Sequence, residues 1–263
     1  MEMKDIIVND LDMSSTHING SLILTRSAFN EVNLQHIQIN EKLDISAINM
    51  ALLELHNANV NTVHFPNWTG ITDLDLSGFT YQKIENDINK KWHDDVITGF
   101  RRISFTPQPY KQLADTLNDM AHKNKANGIQ IAKLDHKFEH TDDLMTKIKL
   151  MIFKVSIGYG HGYALGYFNS LAFALSFILF GILVLRHERR KTSNKDNKSG
   201  YLDDLFYSLD SLLPIITLNK QHEEVQHKIQ SIRYYFYFHK IMGYILALII
   251  AAGLSGALTP AGL

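Results

Sequence analysis

Three carboxylates and a hydroxyl, Asp203, Asp204, Asp210 and Ser208, sit in the stretch YLDDLFYSLDSLLPIITLN between two long uncharged runs. Acids on one helical face between apolar segments can favour cations, because in a symmetric assembly each acid becomes a ring of carboxylates. A plainer use of the same stretch is a helix lying flat on a membrane with its acids in water. A second set, Lys90, Lys91, Arg101, Arg102 and Lys111, surrounds Trp92 and Phe100. Cations interleaved with rings can hold single-stranded nucleic acid, phosphates pairing with the cations and bases stacking on the rings. The plainer use here is a solvated amphipathic cap. No other chemistry assembles. The 13 histidines are scattered, and pairs such as Asp94/Asp95 and Asp142/Asp143 open polar helical starts, where carboxylates cap. With 0 cysteines there is no disulfide, thiol nucleophile or thiolate-held metal. An enzyme is therefore not expected, and no cofactor or metal is expected either.

The elements that must position these groups differ along the chain. The 263 residues carry 26 basic against 27 acidic side chains, a balance unlike that of a generally basic nucleic-acid binder. Residues 1–80 hold 3 basic and 10 acidic side chains, whereas 81–263 hold 23 and 17. No charged residue falls between Val155 and Leu185, nor between Ile241 and Leu263. Each run reaches the ~20 apolar residues that cross hydrocarbon as a helix. Spans are expected near 163–185 and 238–258, the second preceded by Tyr234, Tyr235, Phe236, Tyr237 and Phe238, rings of the kind that sit at headgroup level. The opening MEMKDIIVNDLDMSST is acidic where a secretory signal would be apolar, so the amino-terminal part is expected in the cytoplasm. Arg186, Arg189, Arg190, Lys191, Lys195 and Lys198 after the first span pull the other way.

Small residues recur every four positions in both runs: Gly162, Gly166, Ser170 and Ala174, then Gly243, Ala247, Ala251 and Ser255. That spacing lets helices approach closely in lipid, so packing between copies in a homo-oligomer is expected, with a tetramer by analogy to two-span channels. Between the spans the amphipathic stretch is long enough for about 18 Å of helix, half a bilayer. Ahead of the first span, LMTKIKLMIFKV sets Lys147, Lys149 and Lys154 among apolar residues, a pattern that fits an interfacial helix on an anionic leaflet. The glycines of IGYGHGYALG open a span instead of following a strand, which makes them a joint and not a dinucleotide loop.

Up to Phe79 the sequence repeats. Apolar pairs recur at Leu11/Met13, Leu22/Leu24, Val32/Leu34, Leu43/Ile45, Leu53/Leu55, Val63/Phe65 and Leu74/Leu76, and intermediate beats fall on Ile18, Phe29, Ile39, Met50 and Val60. A five-residue beat with four beats to a coil predicts a solenoid of three to four coils over 6–79. Beyond it the spacing turns helical. Tyr110, Leu113, Leu117 and Met120 form a stripe after Pro107 and Pro109, and Gly128 is placed near that helix's close.

The units LDMSS, LDISA and LDLSG make the repeat resemble the pentapeptide-repeat proteins, which implies a right-handed β-helix. Together with PQPYKQLADTL, GYGHGY and YSLDSLLPIITL they resemble bacterial membrane-anchored pentapeptide-repeat proteins over nearly the whole chain. The expected fold is thus mixed: a pentapeptide-like β-helix over 1–80, a helical connector and interfacial helix over 81–157, and a two-span pore-like domain over 158–263 with a re-entrant or interfacial helix between the spans. The plan is also similar to the membrane effector of Hailong-type anti-phage defence. That resemblance implies a pore in the bacterial inner membrane held shut by a single-stranded DNA oligomer from a partner nucleotidyltransferase. Opening would depolarise the cell. Lys90, Lys91, Arg101, Arg102 and Lys111 would contact phosphates and Trp92 would stack on a base. The competing expectation is a membrane-tethered scaffold whose β-helix docks a partner protein.

Overall fold

The computed structural model describes residues 1–102, 104–160, 163–192, 200–213, 218–222, 225 and 227–254. It divides into two units, Met1–Leu144 and Met145–Leu263. The first unit begins with about four stacked coils of parallel strand. One sheet holds β1 (Glu2–Lys4), β4 (Leu22–Ala28), β6 (Gln38–Asn49), β8 (Asn59–His64) and β10 (Thr80–Ile84) in that order, with β3 (His17–Ile18) beside β6. The other runs β2 (Asp10–Asp12), β5 (Glu31–Asn33), β7 (Leu52–Glu54) and β9 (Asp73–Asp75). Its register steps by one coil each time, Asp10 to Glu31 to Leu52 to Asp73.

The five-residue beat is the cause. From Leu22 to Phe65 every beat residue and the residue two before it are buried, including the hydroxyl side chain of Ser27. An extra residue near Asn40 is absorbed where β6 shifts register against β8 between Ile39 and Lys42. One corner repeats a left-handed backbone at Ser15, His36, Asn57 and Gly78, with φ of 56°, 56°, 54° and 74°. Glycine is needed at the last of these, because a Cβ there would collide with the Asn57 side chain on the coil below. Asx turns brace the approach to the corner: Asp12, Asn33 and Asp75 accept from the backbone N–H of Ser14, Gln35 and Ser77. On another face Asp44 is held by Lys42, Ser46 and His64. Burial pushes its carboxyl up, but the bonds from Lys42 and Ser46 and the charge of His64 outweigh this and bring it down to about 2.

A solenoid end exposes core and orphan backbone groups, and here three helices close it. They are α1 (Lys90–Phe100), α2 (Pro107–Asp119) and α3 (Lys123–His140). Trp92, Val96, Phe100, Tyr110, Leu113 and Leu117 join the same core as the coils. Polar side chains take up the backbone of the final coil. Gln108 accepts from Gly78 N and donates to Phe79 O, Gln112 donates to Tyr81 O, and Arg102 donates to Trp68 O and Ile71 O. Gly128 corrects the sequence reading, because it lies inside α3 and ends no helix. The absence of a side chain there makes room for the His93 ring of α1.

The second unit contains α4 (Leu144–Ile157, whose first residue belongs to the first unit), α5 (Tyr163–Thr192), α6 (Tyr201–Leu212) and α7 (Gln230–Leu254). Among the described residues one segment, Leu171–Lys191 of α5, is long and apolar enough to cross a membrane. Leu185 packs with Ile232 and Phe236, while Phe177 meets Phe238 and His239, so α5 and α7 run antiparallel. α6 lies against both, Asp204 beside Arg186, Ser208 beside Ile178 and His239, and Leu212 beside Gly243. It therefore follows α7's direction along only part of its length. The chain then doubles back, so that His227 meets Glu188 near the level where α6 began.

Candidate functional site

The side chains that gather chemistry lie where α6 presses on α5 and α7. Polar groups face inward here. Asp204, Ser208, Glu188, His227 and His239 are buried, with Asp204 only 1% exposed. Outward stand Leu179 (61%), Phe206 (47%) and Leu248 (70%), with Leu175, Leu183, Leu202 and Ile241 also exposed. These polar groups share the interior with Ile178, Leu185, Leu212, Ile232, Phe236 and Leu246, so the unit buries polar and apolar side chains together while large apolar ones stand outside.

Each inward group has a partner. Arg186 donates through Nε to Asp204 Oδ2 at 3.4 Å, and Arg189 forms an ion pair with Oδ1 of the same carboxylate. The Arg186 guanidinium also lies 3.3 Å from the Tyr201 ring centroid, a cation–π contact that fixes it over the start of α6. One level away Glu188 accepts from His227 Nδ1 at 2.7 Å and from the backbone N–H of Lys228 and Ile229. With Nδ1 committed to the carboxylate, His227 Nε2 is left to accept from Tyr207 OH at 2.8 Å. Deeper, His239 Nε2 donates to Ser208 O at 3.1 Å, which leaves Nδ1 to accept from Tyr235 OH. Ser208 Oγ donates to Ile178 O. The helices can come this close because Gly181 faces Ser208 and Gly243 faces the Leu212 carbonyl, where any Cβ would collide. The arginines and Glu188 come from the end of α5, which continues helical to Thr192, past the expected end of the span.

Three corrections to the sequence reading follow. Asp203, Asp204, Asp210 and Ser208 do not act as one face of α6. Asp203 accepts from Gly200 N as an amino-terminal cap, and Asp204 and Ser208 point into the unit. Asp210 accepts from Leu218 N, Asn219 N and His222 Nδ1, stitching down the returning chain. Gly243 is spent within the chain, against α6, and is not free for another copy. Ala174 and Ala247 are half-buried and Ala251 is exposed. Gly162 and Ser255 lie outside the described residues, as do the side-chain surroundings of Gly166 and Ser170.

The third correction concerns the basic–aromatic connector. Trp92 and Phe100 are in the core and present no face to a base, because the open coil needs large rings to close it. Trp68 and Phe100 meet edge to face at 5.7 Å. Arg102 is committed to two carbonyls, and Arg101 lies 3.7 Å from Asp135 and 3.9 Å from Glu139. Lys90, Lys91 and Lys111 remain exposed. The opposite charge dominates one solenoid sheet, whose strands carry Asp10, Asp12, Glu31, Glu54, Asp73 and Asp75 and no Lys or Arg. Such a face repels phosphate.

The inward site of α5–α7 escaped the sequence reading because Glu188, His227 and His239 are far apart in the chain and no motif links them. The one available signal was that Glu188 interrupts a basic run. Among the described residues no group of three His, Asp or Glu is arranged to hold a metal ion. No family model, no curated protein and no solved structure matches this chain.

Proposed function

We propose that this chain is a membrane-embedded effector of a bacterial inner membrane. In this reading α5 and α7 cross the bilayer, α6 is a re-entrant helix between them, and the polar interior they enclose is a closed ion path. The observation that carries the reading is the inversion of α6, with Asp204 and Ser208 inward and Leu202 and Phe206 outward. A simple anchor needs only apolar helices, whereas ionisable groups held inside a lipid-facing unit are costly and mark function. The dimensions agree. Twelve residues give α6 a length of about 18 Å and the 25 of α7 about 37 Å, half and all of a bilayer. Irregular backbone at membrane depth needs internal partners, and Asp210 and Glu188 supply carboxylate acceptors to the returning chain.

The Arg186/Arg189–Asp204 cluster is then a latch that keeps α6 seated, and conduction requires its release in a homo-oligomer. The solenoid, read as pentapeptide-type, and its cap form the cytoplasmic docking part. Of the residues expected to meet a single-stranded DNA oligomer, Lys90, Lys91 and Lys111 stand exposed while Trp92, Arg101 and Arg102 are engaged elsewhere, so the Hailong-type reading rests on the membrane half. The scaffold alternative is favoured by one feature, the solenoid sheet whose strands carry acids and no Lys or Arg, which offers a charged docking face.

The test is membrane potential, followed with a voltage-sensitive dye in cells expressing the chain or its Arg186→Ala/Arg189→Ala variant. The unlatched variant is expected to depolarise cells at a membrane level where the parent does not. An unchanged potential with both proteins in the membrane would overturn the pore and leave the tether.

A further inference from the structure

The helix ahead of the candidate span carries a surface of its own. On α4, Leu144, Ile148, Met151 and Val155 follow one another at steps of four, three and four, which aligns them on one face. All four are 45–67% exposed. Met145 and Ile152 are exposed beside them and widen the stripe. Leu150, on the opposite side, is buried, so the helix already has an inward face and the apolar stripe is a second one. Lysines border the stripe, Lys147 and Lys154 seven residues apart along one edge and Lys149 along the other, and α4 contains no acid. Long cationic stems beside an apolar stripe can reach past it to a charged layer.

Between α4 and α5 the chain turns through Gly158 and Tyr159, both left-handed with φ of 56° and 61°. Two such residues in succession end a right-handed helix, so α4 is not constrained to continue along α5.

From this we infer that α4 lies in the membrane plane and recognises anionic phospholipid, its stripe entering the acyl boundary and its lysines meeting phosphate. The inference rests on α5 being a span, since that is what brings α4 to a bilayer. Charge selects the occupant. An apolar stripe edged on both sides by lysine matches a negatively charged headgroup layer over an apolar interior. The consequence is a lipid-sensitive segment joined directly to the helix that ends in the Arg186/Arg189–Asp204 latch.

The absence of native cysteine makes the test direct. Full-length Ile148→Cys and Leu179→Cys proteins, each bearing an environment-sensitive dye, are reconstituted into vesicles of phosphatidylcholine alone or mixed with phosphatidylglycerol. Lipid-borne nitroxide and aqueous iodide serve as quenchers. Leu179 reports the span and should be nitroxide-quenched in both lipids. The Ile148 dye should be quenched by a shallow nitroxide and protected from iodide, more strongly with phosphatidylglycerol. Lys147→Gln and Lys149→Gln should each weaken that preference about fivefold. If Leu179 is quenched and Ile148 stays open to iodide in both lipids, the inference about α4 fails and the span stands. Protection of Ile148 that is the same in both lipids and rises with protein density would show a second copy on the stripe, and would also overturn it. If Leu179 itself is open to iodide, the membrane reading fails first.

Discussion

In the solenoid, Leu34, Leu53 and Val63 are sealed inside while Asp10, Asp12 and Asp73 stand in water; in α5–α7 Asp204, Ser208 and His239 are inside beside Leu185, Ile232 and Phe236, and Leu179, Phe206 and Leu248 are outside. Both arrangements obey one rule. Apolar surface is driven from water; in the bilayer setting proposed for α5–α7 that drive would disappear, and polar groups would have to find one another instead. The comparison also separates two uses of a charged pair. On the solenoid surface Arg26 holds Asp5 through two bonds, both residues being largely exposed, and such pairs contribute little. Asp204 is only 1% exposed, so losing its arginines would leave a buried charge without its ion-pair partners.

The largest test of this contrast is therefore Arg186→Ala with Arg189→Ala, expected to cost about 3–5 kcal/mol in unfolding of the helical unit because a buried charge loses its partners. Arg26→Ala, followed in unfolding of the solenoid, should cost under about 1 kcal/mol. Leu53→Ala should destabilise the solenoid by about 2–5 kcal/mol. Leu179→Ala should be close to neutral in a bilayer, since its side chain merely exchanges one apolar neighbour for another. The readout is specific, because Trp68 and Trp92 are the only 2 tryptophans and both lie in the first unit. Gly243→Ala should cost about 1–3 kcal/mol by forcing α6 off α7, seen as lower thermal stability in lipid nanodiscs.

A pH-dependent test is the titration of Asp44. Its carboxyl lies at about 2 in the fold against an ordinary 3.8, so its contribution is present above 3.8 and is lost as pH falls through 2. After screening this amounts to about 1 kcal/mol. Asp44→Asn should flatten that part of the acid unfolding curve followed by tryptophan fluorescence.

The solenoid was legible because its signal is local and repeated. Each coil restates the same spacing, and Leu22 through Phe65 leave no alternative face to bury. The α2 stripe was legible for the same reason, as Tyr110, Leu113 and Leu117 are all in the core. The orientation of α6 was not. Its two faces are plain in the sequence, but amphipathicity does not say which solvent each face meets. A polar face in water and a polar face against Arg186, Arg189 and His239 have the same period. Trp92 and Arg102 misled by composition, since an interleaved basic and aromatic segment serves a solenoid cap as well as it serves a strand of DNA. Gly243 lay in a small-residue stripe whose partner, Leu212, the sequence does not indicate.

The inversion of α6 is open to one direct measurement. Single cysteines at Phe206 and at Ser208, in otherwise cysteine-free protein reconstituted in vesicles, are treated as free thiols with a water-soluble maleimide competitor in one sample, and in a parallel sample with a membrane-permeant dye whose quenching by lipid-borne nitroxide is then read. Phe206→Cys should be quenched by the lipid probe and spared by the competitor, while Ser208→Cys, shielded by Ile178 and His239, should resist both. Rapid reaction of Phe206→Cys with the aqueous competitor, without lipid quenching, would place that face of α6 in water and contradict the account.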